Sequence, residues 1–346
     1  MAILSGVSDF FGLDIGTTGI RVVELKRTGT IKGLKNYAEA PVEGAFTQSD
    51  AAMDMQKTTA AIRNLVKQAG INSKNVAANV PSQKVFTAII DMDKMSPSDL
   101  NKTIRFQAES FIPTPLAQSK VDWAAIGDSP VGPNKVEVLL TSVPNNYVET
   151  RMAMIEAAGL NVVALEPDSL ALARAVIPAD LAQPQMALDI GNTSTDMIIV
   201  MNGVPHLSRA IATGSRNLVK LAAQNLGTEP TQAEPFVFKF GLNKEKLEGR
   251  VYQAIIDTVD GLISEMDKSI KFFQGRYPTS KIERIVVTGG ASIIPELPVY
   301  IANKLGINVE IGNAWRNVNV AQDKVNELAA VSNHFGVAVG LAERNE

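Results

Sequence analysis

The sequence contains no cysteine, which excludes disulfides and thiolate metal sites and suits a reducing compartment. It holds two histidines, His206 and His334, far apart in the chain, too few for a zinc site or a histidine-based triad. No run approaches the roughly 20 apolar residues that a membrane-spanning helix needs. The start, Met1 to Phe11, is too short and too weakly apolar for a secretory signal. The end, Leu341-Ala-Glu-Arg-Asn-Glu346, is not a basic amphipathic tail of the membrane-binding kind. The 33 basic and 36 acidic residues are scattered and leave a net charge of -3, so the basic stripe of a general nucleic-acid binder is missing. A soluble cytoplasmic protein is the expectation.

What is present is enough apolar material for more than one core. The 346 residues are 45% hydrophobic, which argues for two domains or one large α/β unit. The most informative pattern is an internal echo. Leu13-Asp-Ile-Gly-Thr-Thr-Gly-Ile-Arg-Val-Val is a strand, a glycine turn and a second strand, and Leu188-Asp-Ile-Gly-Asn-Thr-Ser-Thr-Asp-Met-Ile-Ile-Val repeats it. Both copies run into β-branched residues, the composition of buried strands. One copy is also what an ordinary tight hairpin with a solvated aspartate would show; two copies point to a duplicated fold with one such hairpin per half.

Between the copies lies a segment of different character, roughly 82–142, that reads strand, helix, strand, strand. Ser96 caps its helix, Pro97 suits the first helical position and Asp99 the positive dipole end. Leu100, Ile104 and Phe111 fall on one stripe, and Pro113 and Pro115 stop the helix. Farther on, helices are expected at 145–159, 168–176, 215–226 and 246–274, and strands at 161–165 and 282–288. Helices alternating with β-branched runs indicate an α/β fold.

A phosphate chain needs several backbone N–H groups pointing into one concavity with no Cβ in the way. Gly16, Thr17, Thr18 and Gly19 offer this in the first hairpin, and Gly191, Asn192 and Thr193 in the second. Asp14 and Asp189, each just before its turn, are the candidate magnesium ligands, reaching the ion directly or through water. Asp196 is a possible further acid, although strand alternation could turn it to the opposite face. Gly289, Gly290 and Ser292 end a strand with backbone bare enough to lie against a base or ribose. Gly214, in Thr213-Gly214-Ser215, is a further candidate donor at a helix start.

The order Asp14-x-Gly16, Asp189-x-Gly191, Gly289-Gly290 resembles the two phosphate motifs and the adenosine motif of the actin, sugar-kinase and heat-shock ATPase superfamily. Leu165-Glu166-Pro167 and His334 to Ala342 are similar to its two connecting segments. Within the insert, Ile104-Arg-Phe-Gln-Ala-Glu-Ser-Phe-Ile-Pro-Thr-Pro-Leu116 resembles the bacterial type IV pilus assembly family PilM, with Gln107 where glutamate is usual. Phe272-Phe273 also fits that family, and Arg21 takes a place often held by lysine.

The resemblance implies an actin-like (ribonuclease H-like) two-domain α/β fold with an inserted small α+β subdomain. The first domain would span 1–81 and 143–185, with a helix at about 330–346 returning to it; the insert would be 82–142 and the second domain 186–329. It further implies a cytoplasmic protein that binds ATP and Mg2+ between the domains and grips the N-terminal cytoplasmic peptide of a PilN-like inner-membrane protein. That peptide would dock between the first domain and the insert, where Phe86 and Phe111 fit either groove or core. Glu166 would position water for any hydrolysis. An FtsA-like division filament protein and a small-molecule kinase of the same superfamily are the alternatives.

Overall fold

The computed structural model describes residues 9–28, 31–178 and 181–345. The first hairpin is β1 (Phe11–Ile15) and β2 (Gly19–Thr28), and β3 (Ile31–Pro41) extends it as an antiparallel meander. Helix α1 (Ala52–Gln68) leads back to β4 (Asn75–Val80), parallel to β1. The chain then forms the insert: β5 (Phe86–Asp93), α2 (Pro97–Ala108), β6 (Ser119–Asp128) and β7 (Lys135–Pro144). It returns through α3 (Asn145–Ala157) to β8 (Asn161–Pro167), parallel to β4, and α4 (Asp168–Val176).

The plan then repeats. β9 (Gln185–Ile190), β10 (Thr195–Met201) and β11 (Val204–Ile211) form the second meander. Helices α5 (Ser215–Leu226), α6 (Pro230–Phe240) and α7 (Arg250–Arg276) precede β12 (Arg284–Thr288), which pairs parallel with β9. Helix α8 (Leu297–Leu305) leads to β13 (Asn308–Ile311), parallel to β12. The short β14 (Val318–Asn319) and α9 (Val325–Ala342) close the chain. The sheets run β14-β3-β2-β1-β4-β8 and β11-β10-β9-β12-β13, so the echoed sequence is a repeated topology of three antiparallel and two parallel strands.

Helices α4 and α9 lie between the two sheets. Their shared core takes Val23, Ala77 and Ala164 from the first sheet and Ala187, Ile198 and Val286 from the second. The helices cross closely because Gly340 lies against the Ala171 backbone, where a Cβ would have no room. β14 pairs with β3, so the chain rejoins the first sheet at Val318.

The insert has its own sheet, ordered β5-β7-β6, and its own core built on Ile90, Ile104, Val138 and Leu140. Ser96 caps α2 as expected, accepting from the Asp99 amide. The helix ends at Ala108, before the prolines. Ile112 and not Phe111 faces the core, leaving Phe111 46% exposed. The remaining differences concern helix starts. Helix α6, which contains Pro235, was not anticipated. Helix α7 begins only at Arg250 because Leu247 and Glu248 take positive φ. After Gly289-Gly290 a single tight turn precedes α8, since Glu296 also has positive φ.

A buried polar cluster joins β5 and β7 to Arg276 and Tyr277 at the end of α7. Glu137 of β7, 1% exposed, accepts from Arg276 Nε (2.8 Å) and from the Tyr277 hydroxyl (2.6 Å). Arg276 Nη2 also donates to Asp91 of β5 at 2.7 Å, and Ser129 donates to the same oxygen at 2.5 Å. Burial pushes Asp91 up, but Arg276 and Ser129 outweigh it and hold the carboxyl below its usual range. His206 of β11 stands edge-on to Tyr277, and burial holds its imidazole below the usual range.

Candidate functional site

The two sequence echoes fold into the same turn. Gly16 N–H donates to the Gly19 carbonyl at 2.9 Å, and Gly191 N–H donates to the Ser194 carbonyl at 2.9 Å. The second turn is further held by the first amides of α5, with Ser215 and Arg216 donating to the carbonyls of Gly191 and Asn192. Both turns open onto one cleft of about 580 Å³.

Most of the expected residues meet there. Asp14, Gly16, Thr17 and Thr18 line the cleft from the side of the first sheet; Asp189, Gly191, Asn192, Thr193, Gly289 and Gly290 line it from the side of the second. Gly289 has φ +86°, and a Cβ on it would collide with Asp189 Oδ1 and the Ile190 carbonyl, so glycine is required. Gly19, Gly214 and Ser292 are not in the lining but shape it. Gly19 closes the first turn, Gly214 packs against the Asn192 carbonyl, and Ser292 Oγ donates to the Gly289 carbonyl at 2.7 Å.

The cleft also gathers more acid than the motifs promised. Asp196 lies directly across the ladder from Asp189, and cross-strand partners share a face, so it points into the cleft with it. Asp168, the first residue of α4, joins them. Burial raises all four carboxyls. It takes Asp189 to about 7, helped by the charges of Asp196 and Asp14, and Asp196 to about 6, with the Ser82 hydroxyl pulling the other way. Asp168 is pushed well above the usual range by burial and then by Asp14, Asp196 and Asp189. Asp14 is raised by burial against the pull of Arg21, whose guanidinium lies 3.3 Å away.

One oxygen of Asp168 and one of Asp196 are buried without a hydrogen-bond partner. Of the four acids only Asp14 has a paired cation among the described residues, and hard oxygen donors of this kind fit magnesium. Among the described residues no three acids are close enough to clasp a metal by themselves. The donor set therefore fits a cation that keeps part of its water shell.

Glu166 does not take the expected place. It is absent from the cleft lining, and its carboxylate is held by Arg174 and Arg344. Burial pushes it up, but Arg174 and then Arg344 outweigh that and keep it below its usual range. A carboxylate paired with two guanidiniums is not available to a water in the cleft. Asp168, two residues on, is the acid this segment delivers. The sequence signal was the aspartate immediately after Glu166-Pro167, which reads equally well as a favourable first-turn residue. Arg151 and Lys84, also in the lining, carried no motif at all.

Two facing glycine turns between two sheets that repeat the same five-strand plan define the class: this is an actin-like nucleotide-binding fold. The chain belongs to the family of the type IV pilus assembly protein PilM, whose family model matches residues 12–346. It is similar to a solved PilM-PilN type IV pilus biogenesis complex, with a TM-score of 0.83 and 23% identity over 96% of this chain and 97% of that one. It is also similar to the ethanolamine utilization protein EutJ from Carboxydothermus hydrogenoformans, with a TM-score of 0.56 and 15% identity over 99% and 92% of the two chains. MreB5 of Spiroplasma citri bound to ADP gives a TM-score of 0.54 and 13% identity over 96% and 94%. These likenesses show the fold; the family match favours the pilus reading over the division-protein and kinase alternatives.

Proposed function

We propose that this protein is an ATP- and Mg2+-binding adaptor of a type IV pilus machine that grips the N-terminal cytoplasmic peptide of a PilN-like inner-membrane protein. The observation that carries the nucleotide part is the meeting of two matching turns over four buried acids; among the described residues only Asp14 of these has a paired cation, Arg21. The amides and hydroxyls of Gly16, Thr17 and Thr18 would hold phosphate oxygens from one side, and those of Gly191, Asn192 and Thr193 from the other. Gly289 and Gly290 offer bare backbone to the nucleoside. Asp14 and Asp189 would hold the hydrated cation, which supplies positive charge between the acids and the phosphates. Because the turns belong to different domains, a ligand that touches both favours the closed arrangement.

The partner reading draws on the family and on the likeness to a PilM solved together with PilN. The insert is a distinct small sheet beside the first domain, a suitable edge for an extended peptide, and Phe111 is half exposed on it. No helix among the described residues is long and apolar enough to cross a membrane, so attachment through a membrane partner is the proposed route. The test is fluorescence anisotropy with a labelled N-terminal PilN-type peptide and a scrambled control. Saturable binding of the native order alone is expected. Equal binding of both peptides, together with phosphorylation of members of a sugar panel, would replace the adaptor by a kinase.

A further inference from the structure

The cleft is lined from the first domain by residues that the account above leaves unused, chief among them Arg151 of α3 and Lys84. Arg151 is 6% exposed, yet its Nε has no hydrogen-bond partner. Among the described residues, neither Arg151 nor Lys84 has a carboxylate within ion-pair distance. The other guanidinium in the cleft, Arg21, is taken up by Asp14 at 3.3 Å and Glu39 at 2.7 Å. Arg151 and Lys84 instead share one aromatic ring, standing 5.5 Å and 5.9 Å from the centre of Tyr147.

A buried guanidinium without a counter-ion is costly, and contact with one ring offsets only part of that cost. What completes it is an anion able to meet a planar fork of N–H donors, and a phosphoryl group has that shape and charge. The position agrees. Arg151 is close enough to Asp14 for its charge to lower that carboxyl, which puts it beside the first phosphate turn. The acids nearest this end of the cleft are Asp14, which Arg21 already pairs, Asp168, and the exposed Asp50. None of these three is within ion-pair distance of Arg151 or Lys84.

We infer that Arg151, assisted by Lys84, forms a phosphate subsite at the first-domain side of the cleft. It takes the terminal phosphoryl group of a bound nucleoside triphosphate or free inorganic phosphate. The subsite rests on the nucleotide reading and deepens it: it is the feature by which the cleft tells a triphosphate from a diphosphate. Lys84 lies in the segment that enters the insert, so the same contact ties the terminal phosphate to the start of the insert.

The test is calorimetry in the presence of Mg2+ with ADP, with a non-hydrolysable ATP analogue, and with ADP plus inorganic phosphate. Wild type, Arg151→Gln and Lys84→Gln are compared. Arg151→Gln is expected to lose about 10- to 100-fold in affinity for the triphosphate, the worth of charge-assisted hydrogen bonds, while ADP affinity stays put. Lys84→Gln should lose less, in the same direction. Lys84 is exposed, so this variant folds and decides the matter if Arg151→Gln does not. Tightening of ADP by inorganic phosphate in wild type alone would identify free phosphate as an occupant. A response confined to the triphosphate would restrict the subsite to the terminal group. Variants that shift both nucleotides equally, or neither, overturn the subsite while leaving the nucleotide reading in place. A wild type that binds no nucleotide overturns both.

Discussion

At the contact between the insert and the second domain, Glu137 accepts from Arg276 and Tyr277, and Arg276 in turn holds Asp91. In the cleft, by contrast, Asp168 and Asp196 each bury a carboxylate oxygen with no partner, and Arg151 buries a guanidinium nitrogen in the same condition. Both regions are polar, buried and shared between different sheets of the fold, but only the first is complete. A complete cluster fixes structure. An incomplete one carries unmet charge that a ligand of opposite charge can satisfy, and the cleft has such charge of both signs: acids for a cation, and cations for phosphate.

The largest effect is expected at the complete cluster. Replacing Glu137 by Ala leaves Arg276 and Tyr277 without their shared acceptor and should destabilise the protein by about 3–5 kcal/mol, the range for breaking a buried pair. Urea denaturation would measure it, and a loss well under 1 kcal/mol would show that the insert is not fixed in this way. The incomplete cluster should answer with the opposite sign. Asp196→Asn removes a buried charge, so ligand-free stability at pH 8 should rise by about 1 kcal/mol while binding of Mg·ATP weakens.

The pH dependence follows from the same acids. Their folded-state pKa values, about 7 for Asp189 and about 6 for Asp196, lie above the usual 3.8. Between about pH 4 and 7 the folded protein therefore holds more protons than the unfolded chain, and ligand-free stability falls as pH rises through that window. At pH 5, where the folded protein holds Asp196 largely protonated, the advantage of the Asn variant should shrink, and it should vanish only below about pH 4. A gain that is the same at pH 5 and pH 8 would mean the effect is not one of charge.

The duplicated sheet was legible because the repeat is local: Leu-Asp-Ile-Gly-x-Thr followed by β-branched residues specifies a strand, a turn and a strand in each half. The glycine turns and their two aspartates were legible for the same reason. Asp196 was left open because its direction depends on the register of β10 against β9, which pairs it with Asp189. Glu166 was misplaced because the arginines that hold it come from α4 and from the far end of the chain at Arg344. Phe111 was placed on the stripe of Leu100 and Ile104 because the helix was run on to the prolines; its actual end at Ala108 gives that place to Ile112. Arg151 and Lys84 were invisible because their meeting over Tyr147 is set by packing and not by a motif.

The central claim is that the cleft is completed by a nucleotide and a divalent cation together. Calorimetric titration of ATP into the intact protein, with Mg2+ or with EDTA, at pH 8 and pH 6, tests it most directly. The account predicts saturable binding of one ATP per chain with Mg2+ at pH 8. It predicts weaker binding in EDTA, and weaker binding at pH 6, where Asp189 and Asp196 take up protons that compete with the cation. No saturable binding of Mg·ATP, or an affinity indifferent to both magnesium and pH, would contradict it.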